Sequence, residues 1–437
     1  MTTSNDSILG NPAQSGLWLA EVVLFATLFL FLFGWKIGTS VDLITLVAVG
    51  AAFAWFVIRA RALPVPASSV VVAMVGAAGY AALVVAVSGA HDPQVALRSL
   101  RALIALVGGI ALAGLYCERW RDDALRILML HVYLAVGLHA IVICAMYVSD
   151  GLRAAIYGAL GTLDVVNANA PVLLGLRIPG LTYGLASTSI LQMSGLCLLP
   201  AVLAMNREHR AIRFVTACLV APLVASVFLT GRSGLALGAL LIPLILVGGA
   251  VMKRGLRDAG PGVITLVVLL GLGIAFGESL STLLPDKVAY NVTQATEILV
   301  LLDDPSRSPT FQAIAGMYVL PSGDMRLLFG GGSLGRSEMG YIPSDVGYVL
   351  LIHAVGLSGL VLTMLPIGLA VPVVWRLAAA SPHLALAGVA ILATTLVFNF
   401  KELALLTRNM WSLQVVIVAA AAVGMRATFG APPSRAT

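Results

Sequence analysis

Apolar residues in this chain run on for membrane-spanning lengths, and polar residues gather in the gaps between them. A helix that crosses a bilayer needs roughly 20 apolar residues. Windows of that size pick out runs near 17–33, 41–58, 68–88, 99–117, 125–148, 182–205, 213–229, 234–252, 262–277, 345–374, 384–400 and 410–426. No fixed-period repeat and no separate soluble domain interrupts them. The pattern predicts an all-α polytopic membrane protein of about twelve transmembrane helices, with residues 1–437 forming one integral-membrane domain.

Composition agrees. The 437 residues are 59% hydrophobic and 11% charged, with a mean hydropathy of +1.00, whereas a soluble domain carries about a quarter charged residues. The net charge is +6 and the pI about 9.3. No basic run with interleaved aromatics accompanies that charge, so nucleic acid is not an expected partner. Cys117, Cys144, Cys197 and Cys218 lie in or beside apolar runs without metal-ligand spacing and read as small core residues. The opening MTTSNDSILGNPAQSG lacks the basic region and small-residue cleavage site of a signal peptide, so the first span is expected to stay attached.

Charge then sets sidedness. With the N-terminus inside, the alternate short loops are basic: Arg59 and Arg61; Arg119, Arg121 and Arg126; Arg207, Arg210 and Arg213; Lys253, Arg254 and Arg257; then Arg376. That is the positive-inside pattern, and it predicts two cytoplasmic termini. The outer face then carries the loops 149–181 and 278–344 and a short turn at 230–233. Within the longer loop, SPTFQAIAGMYVLP (308–321) predicts an amphipathic helix lying along the surface, and Gly330–Gly332 a backbone turn.

At that face the span ends carry Arg177, Arg232, Asp345, Lys401 and Arg408. Isolated cations at the edge of apolar runs are costly, and an anionic ligand is one reason for them. Snorkelling to lipid headgroups is the other. Arg177 lies in LRIPGLTYG and Arg232 in FLTGRSGLALG, where Gly231 and Gly234 would let backbone approach a ligand. Guanidinium forks match phosphate oxygens.

The segment 329–362 leads from the glycine run through Arg336 and Glu338 to Ser344 and Asp345. The glycine run is not a phosphate loop, because no Gly-Lys-Ser/Thr follows. Asp345 and Tyr348 would share a helix face; the carboxylate suits a base that orients a sugar hydroxyl, or else a helix N-cap. In FNFKELALLTRNMW (398–411), Lys401 and Arg408 are seven apart and share a face if helical, with Glu402 able to pair with either. Together with Trp411 they also fit an interfacial anchor belt.

His353, eight residues past Asp345 and so about 12 Å deeper, reads as a hydrogen-bonded core histidine. His91, His131, His139, His209 and His383 show no metal spacing, and the acidic pairs Asp122–Asp123 and Asp303–Asp304 are merely adjacent. Neither a metal nor a cofactor is expected.

The order of these motifs resembles the O-antigen ligase and polymerase superfamily of bacterial inner membranes. An arginine–Pro-Gly loop opens a span, and Arg232-Ser233-Gly234 follows two spans later. A long outer loop ends in Phe-Gly-Gly-Gly, then Ser344-Asp345-Val346-Gly347-Tyr348, then Gly-Leu-x-Gly-Leu at 356–360. The resemblance covers roughly residues 170–410. It implies a GT-C-like lipid-linked glycosyltransferase fold, and periplasmic, metal-independent joining of undecaprenyl-diphosphate-linked donor and acceptor glycans. It also implies diphosphate binding by Arg177 and Arg232, with Arg307 as a further contact.

Ligases of the superfamily carry a histidine at the end of the long loop, and Ser344-Asp345 here resembles the polymerase branch instead. The expected activity is therefore a polymerase of O-antigen, exopolysaccharide or capsule type. Asp345, or else Glu338 or Glu402, would act as base or orienter of the acceptor hydroxyl, and Arg336, Tyr348, Lys401 and Arg408 would bind substrate. Membrane lipids surround it, and a chain-length regulator or flippase is a further expected partner. A ligase acting on lipid A core of lipopolysaccharide, or a lipid-linked oligosaccharide transporter, are the competing readings; transporters place ionisable residues near the midplane rather than at span ends.

Overall fold

The computed structural model describes residues 12–37, 41–161, 175–182, 184–252, 304, 309–335 and 341–424. Backbone in hydrocarbon must satisfy its own N–H and C=O groups, so the apolar runs become helices. The first are α1 (Pro12–Phe33), α2 (Leu43–Ala52, prolonged by a π turn over Phe53–Ile58), α3 (Val65–Ser88), α4 (Gln94–Trp120), α5 (Ala124–Val148) and α6 (Asp150–Ala159). Then come α7 (Leu185–Met205), α8 (Arg210–Cys218), α9 (Val220–Thr230) and α10 (Arg232–Val251). After the short α11 (Pro309–Gly316) and α12 (Asp324–Phe329), the chain forms α13 (Gly347–Trp375), α14 (Pro382–Phe398) and α15 (Arg408–Ala422). A two-residue antiparallel pair, β1 (Lys36–Ile37) and β2 (Val41–Asp42), precedes α2.

Among the described residues, five helical stretches are long and apolar enough to cross a membrane: Val65–Ser88, Gln94–Val148, Leu185–Met205, Arg210–Thr230 and Gly347–Ala379. Leu19–Phe33, Leu43–Ile58 and Pro382–Phe398 are apolar but shorter. The protein is thus helical, with the apolar helices of a membrane protein. Each run expected from hydropathy falls on a helix except 262–277, which lies outside the described residues.

Two helices form the centre. Along α7 and α15 almost every side chain is buried, as expected of helices that are apolar all round. α7 packs among α5, α9, α10 and α14, while α15 packs on α4. Polar groups pin α15 on two sides: Trp411 Nε1 donates to Ala102 O of α4 at 2.8 Å, and Asn409 Nδ2 donates to Leu32 O of α1 at 2.8 Å. At the end where the short basic loops gather, Arg59 and Arg61 both pair with Glu118, and Arg126 bridges Asp123 and Asn206.

α13 is broken at Gly356, whose φ of +67° and ψ of −177° are not helical. The glycine run docks at this break: Gly331 and Gly332 donate their backbone N–H groups to the carbonyls of His353 and Ala354. A side chain on Gly356 would put Cβ within 2.3 Å of Leu328 O. Backbone therefore packs on backbone here, and only glycine permits it.

The surface helix expected over 308–321 is shorter. It ends at Gly316, and residues 318–321 are not helical. Pro321 disfavours helix at the residue before it, and two contacts hold the stretch inward. Tyr318 OH donates to Phe400 O at 3.1 Å, and Val319 O lies 2.9 Å from His353 Nε2. Of the four cysteines, Cys218 departs from the core reading, since it is exposed at the end of α8.

Candidate functional site

The helix ends opposite the basic loops gather the residues singled out above. Arg177 lies in the segment 175–182, which is fixed at two points. Ile178 N–H donates to Leu229 O at 2.9 Å, and Leu181 N–H donates to His139 Nε2 at 3.0 Å. Gly180, at φ +66°, makes the second contact possible, because its Cβ would come within 2.6 Å of that same nitrogen. His139 is held in turn by the Gln192 side-chain amide, 2.6 Å from Nδ1, and by stacking on Phe33 with centroids 4.3 Å apart. The Arg–Pro–Gly segment is thus anchored beside the end of α9.

α9 ends at Thr230, Gly231 is extended, and α10 opens at Arg232. The side chain of Arg232 lies outside what the structure describes. Ser189 of α7 clasps the turn: its hydroxyl accepts from Gly234 N–H at 3.0 Å and donates to Gly231 O. A Cβ on Gly234 would sit 2.5 Å from Ser189 O, so the start of α10 lies backbone-close on α7. Lys401 reaches the same turn, its Nζ donating to Ser233 Oγ at 3.1 Å. Three distant segments therefore meet at the N-terminus of α10, where helix N–H groups favour an anion.

Lys401 and Arg408 do not share a helix face. α14 stops at Phe398 and α15 starts at Arg408, with a looped segment between them. Asn399 shapes that loop, its Oδ1 accepting from Ala404 N–H at 3.0 Å and Leu405 N–H at 3.3 Å. An asparagine side chain that satisfies backbone donors competes with helix. Lys401 is thereby directed to Ser233, whereas Arg408 Nη1 lies 3.1 Å from Asp42 Oδ1.

Asp345 also differs from its expected placement. α13 begins at Gly347 with Val346 extended before it, so Asp345 lies in the preceding turn and shares no helix face with Tyr348. Ser344 sets that turn by accepting from Val346 N–H at 3.1 Å, and it leaves Asp345 exposed. Tyr348 is engaged within the fold: its OH donates to Leu396 O at 2.7 Å and its ring meets Phe400 edge-on. That makes it a packing residue of the site's wall. Arg307, Arg336 and Glu338 lie outside the described residues.

In comparisons with known proteins, no family model, curated protein or solved structure matches this chain. What the site can do is read from its chemistry. It offers cations and helix N-termini at one end of the bundle, with the exposed carboxylate of Asp345 close in sequence to Tyr348.

The same end holds a cavity of about 310 Å³ lined by Asp42, Gln94, Arg98, Arg101, Arg408 and Trp411, among others. Arg98 and Arg101 are three apart on α4 and so project from one face. Neither stands out by the loop and glycine punctuation that marks Arg232. The signal available in the sequence is the Arg-x-x-Arg spacing in ALRSLRAL (96–103), at the outer edge of an apolar run.

Proposed function

We propose that this protein is a glycosyltransferase of the bacterial inner membrane. It joins undecaprenyl-diphosphate-linked repeat units into a polysaccharide at the periplasmic face, on a GT-C-like frame of twelve spans. The observation that supports this most is the Ile178–Leu229 backbone bond. It draws the Arg177 loop onto the turn that opens α10 with Arg232, the turn that Lys401 also reaches.

A diphosphate is a leaving group on which negative charge grows as the glycosidic bond breaks. Fixed cations and helix N–H groups aimed at that charge lower the barrier. In the reaction the acceptor hydroxyl oxygen bonds to the donor's anomeric carbon. The bond from that carbon to the diphosphate oxygen breaks, and the lipid diphosphate leaves with the electron pair. Asp345, exposed at the mouth of α13, takes the hydroxyl proton.

The test is direct. Purified protein is incubated with a synthetic lipid-diphosphate oligosaccharide, with and without chelator, and the product is sized. Lengthened lipid-linked glycan in both arms is expected. Glycan transferred only to added lipid A core would make the protein a ligase, and movement of the lipid between leaflets with no new glycosidic bond would make it a transporter.

A further inference from the structure

We propose that the cavity between α2, α4 and α15 is a second anion site, which binds the phosphate or diphosphate headgroup of a lipid-linked substrate. Arg98, Arg101 and Arg408 line it, and Asp42 supplies the carboxylate among its described lining residues. Asp42 is 6% exposed, and one of its oxygens already faces both Arg408 and the Ile44 N–H. Among the described lining residues, three guanidinium groups thus stand against one carboxylate, a sign that suits an anionic ligand.

Helix geometry adds to the side chains. Three helices start at this cavity: α2 just after Asp42, α4 at Gln94 and α15 at Arg408. Their positive ends favour the same sign of ligand as the arginines do. Gln94 and Thr407 supply neutral hydrogen-bonding groups beside them. A volume of about 310 Å³ holds a phosphorylated headgroup and excludes a polymer.

The surroundings favour a lipid as the source of that phosphate. Thr45 lines the cavity, and from the next residue Leu46, Val49 and Phe53 form an exposed apolar strip down α2. Their spacing puts them on one face, where an isoprenoid chain can lie while its phosphates enter the cavity.

This site is distinct from the α10 turn. The loop 399–407 separates them, sending Lys401 to one and Arg408 to the other. Two anion sites at one end of the bundle suit a reaction in which both substrates are lipid diphosphates. The α10 turn then holds the donor and the arginine cavity holds the acceptor. Naming the ligand an acceptor rests on the transferase reading above, whereas the anion site itself does not.

The experiment uses full-length protein in phosphatidylcholine nanodiscs with radiolabelled farnesyl diphosphate as probe and inorganic pyrophosphate as competitor. Arg98→Gln/Arg101→Gln should weaken farnesyl diphosphate binding about tenfold or more, since each arginine–phosphate bond is charge-assisted. Competition by pyrophosphate identifies the phosphates as the recognised group. Binding of farnesyl diphosphate with no such competition would mean that the phosphates are not what is recognised, and it overturns the proposal. If the double variant does not fold, wild-type protein decides: pyrophosphate should shield Arg98 and Arg101 from phenylglyoxal.

Equal modification with and without pyrophosphate, or unchanged binding in a folded double variant, overturns the proposal. So does loss of the signal when phosphatidylglycerol replaces a tenth of the lipid, because the occupant would then be bulk anionic headgroup. Binding without glycosyl transfer would reject the transferase reading alone. Transfer without arginine-dependent binding would reject this site alone.

Discussion

Gly331 donates its backbone N–H to the carbonyl of His353 at 2.8 Å, so a glycine of the loop replaces a helical partner that the break in α13 removes. The break is at Gly356, in a backbone region open essentially to glycine alone. Gly356→Ala should therefore destabilise the fold by about 1–3 kcal/mol, with a further penalty as Leu328 O is displaced. Thermal unfolding in detergent measures it. An unchanged midpoint would show that α13 straightens without cost and that the glycine run does not depend on the break.

His139 is a positioning residue for Arg177. It is fully buried, accepts from Leu181 N–H and stacks on Phe33. His139→Ala removes that acceptor and leaves the part-buried Leu181 N–H without it, a loss of about 1 kcal/mol. Hydrogen exchange over 175–182 should speed up, and product formation should fall with it. Faster exchange at undiminished activity would separate the Arg177 loop from the chemistry.

Helix positions were legible in the sequence because runs of apolar residues leave no other backbone solution in hydrocarbon. Local geometry at the site was not, for particular reasons. The seven-residue spacing of Lys401 and Arg408 suggests one helix face, yet Asn399 closes a loop between them by bonding two backbone N–H groups. Spacing says nothing of a side chain that competes with the helix. Asp345 fits an N-cap by type, but Ser344 takes that part of the turn and starts the helix two residues later. Arg98 and Arg101 lie in an ordinary helical run, and only the approach of α2 and α15 makes a cavity of it. The Phe-Gly-Gly-Gly run was visible as a turn, while its docking partner 22 residues further on, from Gly331 to His353, depends on tertiary contact.

Lys401 supplies a test of the α10 turn as the donor's diphosphate site. Its ammonium donates to Ser233 Oγ, and the charge it places at the turn is of the sign that favours an anion. Lys401→Met should lower the rate of glycan transfer roughly 10²-fold, the size expected for losing one fixed donor to developing charge. Ser233→Ala should cost much less, because the lysine keeps its charge. A double-mutant comparison separates the two effects. Equal losses in Lys401→Met and Ser233→Ala would mean that the pair is only a structural tie between α10 and the 399–407 loop.

Arg232→Ala bears most directly on the proposed chemistry. Arg232 is the first residue of α10, next to the serine that Lys401 contacts and three residues from the carbonyl that holds the Arg177 loop. The change removes a guanidinium while leaving Gly231, Ser233 and Gly234 to form the turn against Ser189. The variant protein should insert and unfold like the wild type but make no polymer. Arg232→Lys should recover a fraction of the rate, since lysine keeps the charge without the two-pronged match to phosphate. Polymer of normal length from Arg232→Ala would remove this arginine from the site and leave the α10 turn without its strongest claim on a diphosphate.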